Sequence, residues 1–483
     1  MLFNSIDFAL FLPIIFLFYW FVTNKSLKLQ NFLLVVASYI FYGWWDWRFL
    51  SLILFSTVVD YTIGYKLKSE ENQLKRQILL WTSIVVNLGF LGFFKYYNFF
   101  LDNFISVFSF FGTKLSANAL NIILPVGISF YTFQTLSYTI DVYKRKLDPT
   151  SDFIAFAAFV SFFPQLVAGP IERATNLLPQ FYKKRQFDYN KAVDGMRQIL
   201  WGLFKKIVIA DNCAEHANLI FSNSEDLNGS TLFLGALFFT FQIYGDFSGY
   251  SDIAIGVSRL FGFNLKQNFA FPYFSRDIAE FWRRWHISLN TWFRDYLYIP
   301  LGGSRGSKWI KVRNTFIIFT VSGFWHGANW TFIIWGILNA LFFLPIMLSN
   351  NNRKNISIVA QGRTFPGFKD FIGMIVTFLL TVFAWVFFRA ENIEQAIEVV
   401  SEMVSASFFE LPRFVQNRRG AIITIVLVCL FVLIEWNGRE SQYAIANSLL
   451  KKRRIMRWGY YLIIIFLIFW FRGENQDFIY FQF

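Results

Sequence analysis

The sequence predicts an all-helical, polytopic integral membrane protein. Three observations carry that reading. Apolar residues make up 55% of the 483-residue chain and charged residues only 16%, against about 25% charged in a typical soluble domain. The apolar residues fall in runs: 371–388 holds eighteen residues without a charge and 78–94 holds seventeen. A helix needs about 20 mostly apolar residues to cross ~30 Å of hydrocarbon. Aromatic residues reach 21%, with 65 Phe and 17 Trp. Trp and Tyr favour the membrane–water interface, and Trp44-Trp45-Asp46-Trp47 reads as such a belt.

The net charge of +14 would suggest nucleic acid in a soluble protein. Here the Lys and Arg residues sit in short loops between apolar runs, as the positive-inside rule requires. No basic arm or tail argues for a nucleic-acid partner. The two cysteines, Cys213 and Cys429, lie far apart and give neither metal spacing nor a disulfide framework.

The elements follow in order. The first basic residue, Lys25, comes after the first apolar run. Residues 8–22 are therefore expected to be a retained helix, not a cleaved signal peptide. The amino terminus is then outside, and Lys25 and Lys28 are cytoplasmic. Residues 32–43 cross back, 49–65 cross inward to the basic loop 66–76, and 78–94 return outward. Asp60 falls inside the third run.

Two later segments are interrupted. Residues 122–143 contain Pro125 and Gly127 near their start, and 162–173 contain Pro164, Gly169 and Pro170. Irregular backbone at membrane depth persists only where it is buried in protein or lines a wet cavity. Both segments read as walls of an internal site or as ordinary loop ends. The run 232–255 carries Asp246 and Asp252. Carboxylates at that depth need partners; Arg259, Arg283 and Arg284 are candidates, and a structural ion pair and a direct catalytic role both stand open.

Residues 266–313 hold nine Lys/Arg against three Asp/Glu, interleaved with Trp282, Trp285 and Trp292. This reads as an amphipathic, interfacial region. Two spans around residue 326 follow, then 371–388, 421–436 and 460–471. Lys451-Lys452-Arg453-Arg454 precedes the last run, so the tail with Glu474 and Asp477 is expected outside. The total is roughly 11–13 hydrophobic helices by the span-length rule. Some are broken or re-entrant.

Residues 316–348 contain no Asp, Glu, Lys or Arg, and His326 is their one side chain titrating near neutrality. An ionisable residue inside a membrane span is costly and usually functional. Gly323 and Gly327 allow close backbone approach. Asn329 and Trp330 can donate hydrogen bonds, and Trp330 lies four residues on, on the same helix face as His326. His286 sits in Phe281-Trp-Arg-Arg-Trp-His286, where a water-exposed imidazole and a functional one are both open. His216 is assigned no role. These histidines lack nearby carboxylate spacing, so no metal site is expected. The spans offer no activated cysteine, which disfavours a covalent acyl-enzyme. An imidazole titrating near neutrality is the natural base for a hydroxyl attacking a thioester. The turn Gly302-Gly303-Ser304-Arg305-Gly306-Ser307-Lys308 reads as a phosphate cradle or as an ordinary positive-inside loop.

Phe281-Trp-Arg-Arg-Trp-His286-Ile-Ser-Leu-Asn-Thr-Trp-Phe-Arg-Asp295 and Gly323-Phe-Trp-His326-Gly-Ala-Asn-Trp330 resemble the membrane-bound O-acyltransferase (MBOAT) family. Residues 124–131, 163–173 and 244–252 and the closing Phe478-Ile-Tyr-Phe-Gln-Phe483 resemble its bacterial alginate O-acetylase branch. The resemblance covers nearly the whole chain. It implies one membrane domain over 1–483, divided as 1–115 N-terminal helices, 116–350 catalytic core and 351–483 C-terminal helices, around a central intramembrane tunnel. It implies His326 and His286 as the two catalytic positions. His326 is expected to act as general base, with His286 as support or proton relay, and Trp325, Asn329, Trp330 and Asp246 are expected to shape the site. Arg283, Arg284, Arg305 and Lys308 are expected to meet donor phosphates. The implied donor is acetyl-CoA or another acyl thioester, with no bound cofactor. The implied acceptor is a hydroxyl of an extracytoplasmic polysaccharide, reached with an esterase-like acetyltransferase partner outside the bacterial inner membrane. The related D-alanyl transferases use an acyl carrier protein. A lipid or glycan transporter and a non-catalytic scaffold are the rival classes.

Overall fold

The computed structural model describes residues 1–111, 120, 122–414, 416–447, 453–473, 476 and 478–479. Lys451, Lys452, Glu474, Asp477 and residues 480–483 therefore lie outside the described residues. Among the described residues every regular element is helical. The chain packs as two compact units: Met1–Ala192 with Val257–Lys266, and Val193–Gly256 with Gln267–Phe483.

In the first unit, α1 (Ile6–Leu17) starts under Ser5, whose Oγ accepts from Phe8 N, and it runs on as a π-helical turn, Phe18–Val22. α2 (Leu27–Asp46) and α3 (Leu50–Ser69) have 20 residues each. At 1.5 Å per residue each spans ~30 Å, one hydrocarbon thickness. The break between them falls at Asp46, which leaves helical geometry (φ −158°) and accepts from Arg48 N at 3.0 Å. α4 (Gln73–Leu91) is capped by Asn72, and α5 (Tyr97–Phe110) continues it after a π-helical turn. Then come α6 (Ile128–Tyr143), α7 (Phe153–Ser161), α8 (Phe163–Leu166) and α9 (Ala174–Leu177).

The two interrupted segments meet. Gly127 has φ +74°, and a Cβ there would lie 2.7 Å from Leu166 O. Only glycine gives both the left-handed backbone and that approach. Gln165 Nε2 donates to Gln134 Oε1 at 2.6 Å, and Gln134 Nε2 donates to Phe159 O at 2.5 Å. The break at 162–170 is thus buried, Val126 and Gly127 at the other are half-buried, and buried side-chain amides join the two segments. Asp60 on α3 is also fully buried. It accepts from Ser83 Oγ (2.5 Å) and Asn87 Nδ2 (2.9 Å) on α4 and from Thr139 Oγ1 (3.1 Å) on α6.

α10 (Tyr189–Leu203) leads into the second unit, where a π-helical stretch, Phe204–Ala210, precedes α11 (Asp211–Phe221). α12 (Gly229–Leu260) is 32 residues long, and its last turn belongs to the first unit. The short α13 (Ile278–Arg284) and α14 (Ile287–Phe293) precede α15 (Lys308–His326), α16 (Trp330–Leu348), α17 (Phe368–Arg389), α18 (Ile393–Met403), α19 (Arg418–Gly438) and α20 (Arg454–Trp470). Among the described residues, five stretches are long and apolar enough to cross a membrane: Leu27–Ser69, Gln73–Phe110, Trp330–Leu348, Phe368–Arg389 and Arg418–Gly438. The first two, at 43 and 38 residues, are about twice the length one crossing needs. Phe371, Ile375, Leu430 and Leu433 face outward, the arrangement expected where lipid replaces water. The protein is a multi-pass membrane protein.

Candidate active site

The uncharged stretch 316–348 folds as a helical hairpin and breaks at the histidine. α15 ends on His326, and Gly327 turns extended with φ −163°. A Cβ on Gly323 would lie 2.2 Å from Phe332 O, and one on Gly336 would lie 2.4 Å from Phe319 O. Each glycine receives the other helix's backbone, so α15 and α16 approach as small residues permit. His326 is only 4% exposed. Its ring lies 4.8 Å from Trp325, 5.2 Å from Trp335 on α16 and 5.2 Å from Phe388 on α17. The expectation that Trp330 shares the face of His326 is corrected. Asn329 caps a new helix, accepting from Thr331 N and donating to Glu391 O, and Trp330 is 50% exposed.

His286 links α13 to α14 and is 1% exposed. It holds left-handed backbone, φ 44°, an unusual conformation for a side chain of this size and one that tends to persist at functional positions. Its Nδ1 lies 3.1 Å from Asn268 Oδ1. The same oxygen accepts from Ser288 N at 3.3 Å and Ser288 Oγ at 2.8 Å, while Asn268 Nδ2 donates to Ser251 Oγ at 3.1 Å. A backbone N–H can only donate, so the facing Asn268 atom is the oxygen. His286 Nδ1 must then carry the proton, and Nε2 holds the lone pair. Trp325 joins the two imidazoles: its ring lies 6.2 Å from His286 and 4.8 Å from His326.

Burial pushes the His286 pKa down from 6.5 to about 3. The folded ring stays neutral where the unfolded ring charges. Stability from this group is therefore full above about 6.5 and is lost as pH falls toward 3, at up to about 1.4 kcal/mol per pH unit. His286→Gln is expected to flatten that acid-side slope in melting temperature measured against pH. An unchanged slope would contradict the assignment.

The remaining predicted residues take other places. Asp246 on α12 pairs with Lys206 (2.9 Å), which also pairs with Asp211 (2.8 Å), and it accepts from Ile479 N at 2.7 Å. Asp252 pairs with Lys205 at 2.6 Å. The partners are these two lysines and not Arg259, Arg283 or Arg284. The π-helical stretch adds a residue to the turn and aims both lysines at α12, a phase change that 3.6-residue periodicity does not anticipate. Arg284 donates to Glu280 Oε1 at 2.8–3.0 Å, and Arg276, four residues before Glu280, pairs with it at 3.0 Å. Arg283 donates to Asn352 O and Asn355 O. Arg305 and Lys308 are exposed at the glycine turn. Lys308 and His326 stand at opposite ends of 19-residue α15, ~27 Å apart along its axis. Sequence reasoning missed Asn268, Ser288, Trp335 and Phe388. Only Glu280, spaced four residues from an arginine on each side, carried a readable signal. Among the described residues no group of three or more His, Cys, Asp or Glu is arranged to hold a metal ion.

The profile of the MBOAT, membrane-bound O-acyltransferase family, matches residues 144–390, a segment holding both histidines. The chain is 40% identical to the "Probable alginate O-acetylase AlgI" of Pseudomonas aeruginosa over 447 residues, 92% of this chain and 82% of that one. The chain belongs to the MBOAT family. This MBOAT protein is also 38% identical to the peptidoglycan O-acetyltransferase of Helicobacter pylori over 433 residues, 84% of this chain and 80% of that one. To the teichoic acid D-alanyltransferase of Bacillus subtilis it is 28% identical over 286 residues, 56% of this chain and 70% of that one. The MBOAT protein is a membrane O-acyltransferase.

Proposed function

We propose that this acyltransferase moves an acetyl group from a cytoplasmic thioester, acetyl-CoA, to an acceptor hydroxyl on the outer side of the membrane, for O-acetylation of an extracytoplasmic polysaccharide of the alginate class. The observation that carries the reading is the shared contact of two buried imidazoles with Trp325. A neutral ring in an aromatic, water-poor setting can accept the hydroxyl proton as that oxygen attacks the thioester carbonyl. The carbon–sulfur bond then breaks, and the departing thiolate takes the proton back from the imidazolium. His326 serves as base. His286, with its Nε2 lone pair free of the proton by the tautomer argument, supports or relays. Trp325 packs against both rings, Asn329 fixes the turn behind His326, and a tunnel between the two membrane faces brings donor and acceptor together.

Acetyl is favoured over D-alanyl by the extent of similarity: about 40% identity over 92% of the chain to the alginate relative, against 28% over 56% to the teichoic acid one. In this reading the protein lies in the bacterial inner membrane with both termini outside, and a secreted esterase-like acetyltransferase completes placement on the polymer. Mass spectrometry of surface glycans with and without the protein tests it. Loss of O-acetyl groups is expected in its absence. Unchanged O-acetylation, or loss of D-alanyl esters instead, would contradict the proposal.

A further inference from the structure

The first unit contains a cavity of about 650 Å³ whose wall includes Lys183, Lys184, Arg185, Lys191 and Arg259 against one carboxylate, Asp188. That carboxylate already lies 3.8 Å from Lys191 Nζ. Lys183 and Lys184 are exposed and make no hydrogen bond or ion pair among the described residues. Arg185 is buried and held in place: it donates to Asn31 Oδ1 at 2.7 Å and to Gln180 O at 3.2 Å, and it lies 4.8 Å over the Phe263 ring. Its Nε–H has no hydrogen-bond partner among the described residues, and such a donor suits a charged oxygen. The end of α12 would repel an anion through its terminal carbonyls. Two of these are occupied, Leu260 O by Trp20 Nε1 at 2.9 Å and Phe261 O by Tyr19 OH at 3.1 Å.

The recess also has an apolar margin. Trp20, Phe187 and Tyr189 belong to its wall, and the first two rings are 5.5 Å apart. Tyr189 is 71% exposed, and Phe21 and Val22, which follow Trp20, are 74% and 59% exposed. Exposed aromatic and aliphatic side chains beside cations mark the headgroup level of a bilayer. A positive-inside loop explains basic residues on a surface, but it does not require them to converge on a recess. A soluble phosphate would leave the apolar margin uncovered. A phospholipid covers it with glycerol and acyl chains while its phosphate meets the cations. We infer that this cavity binds the phosphodiester headgroup of an anionic phospholipid, whose chains lie along Phe21 and Val22. The shared chemistry is phosphate, and its source is the bilayer. The inference stands apart from the acyltransferase reading and needs no acetyl transfer for its test.

The test uses the full-length protein in phosphatidylcholine nanodiscs, with and without phosphatidylglycerol. Native mass spectrometry follows the retained lipid, and melting temperature follows its stabilising effect. Phosphatidylglycerol is expected to stay bound to wild type and to raise its melting temperature. The Lys183→Gln/Lys184→Gln variant should bind it at least about tenfold more weakly and lose that rise, while melting as wild type does in phosphatidylcholine alone. Lys183→Arg/Lys184→Arg should keep the lipid. Lys66→Gln/Lys68→Gln removes two exposed cations of the same unit that do not line this cavity, and it should bind phosphatidylglycerol as wild type does. Equal weakening in both Gln variants would reduce the effect to general surface charge and overturn the inference. Unchanged affinity in Lys183→Gln/Lys184→Gln would overturn it too. Displacement of the lipid by inorganic phosphate or coenzyme A at matched concentration would make the recess a site for soluble anions, which also contradicts it.

Discussion

Replacing Lys206 with alanine is expected to destabilise the protein by about 3–5 kcal/mol and to remove most folded protein from the membrane. Lys206 is 4% exposed and bridges Asp246 and Asp211 at 2.9 and 2.8 Å. Its loss leaves two buried carboxylates without their cation. Asp246 also receives Ile479 N, so the same change loosens the seat of the C-terminal segment. A triple variant, Lys206→Met with Asp211→Asn and Asp246→Asn, should recover much of the loss, because it removes charges on both sides together. Yield and melting temperature of the purified variants measure this. A melting temperature for Lys206→Ala within error of wild type would sink it.

His326→Ala is expected to lower acetyl transfer by about 10²–10⁴-fold, the usual worth of general acid–base catalysis, and to leave the protein folded. The ring packs against Trp325, Trp335 and Phe388, whereas the hairpin beneath it is fixed by Gly323, Gly336 and the Asn329 cap. Binding of the thioester should persist, so the fall should appear in kcat and not in KM. The two substitutions are complementary: one removes the fold's buried charge balance, the other removes the chemistry. A His326→Ala enzyme within tenfold of wild type would leave the imidazole without a catalytic role.

Much of this was legible in the residues. The uncharged runs at 78–94 and 371–388 became parts of candidate spans, because hydrocarbon length leaves a helix few alternatives. Pro125, Gly127 and Pro164 marked breaks that proved to be packed on each other. His326 stood out because nothing else near it titrates. The partners of the buried charges were not legible. Lys205 and Lys206 reach α12 from a π-helical stretch, and its extra residue shifts the phase that a 3.6-residue pattern assumes. Asn268 was invisible for a different reason. It is one neutral side chain eighteen residues from His286, and its role depends wholly on a turn that folds it back. Trp330 failed by the opposite route. Its spacing from His326 suggested one helix face, but the extended backbone at Gly327 ends the helix first.

In the proposed mechanism, donor thioester and acceptor hydroxyl meet at His326 from opposite sides of the bilayer. The direct measurement is acetyl transfer in oriented proteoliposomes, with labelled acetyl-CoA confined to one compartment and a polysaccharide acceptor, with its partner transferase, in the other. Label is expected to cross onto hydroxyls with wild-type protein and to stay with the donor in His326→Ala. Equal transfer by both proteins, or transfer only when donor and acceptor share a compartment, would contradict the account.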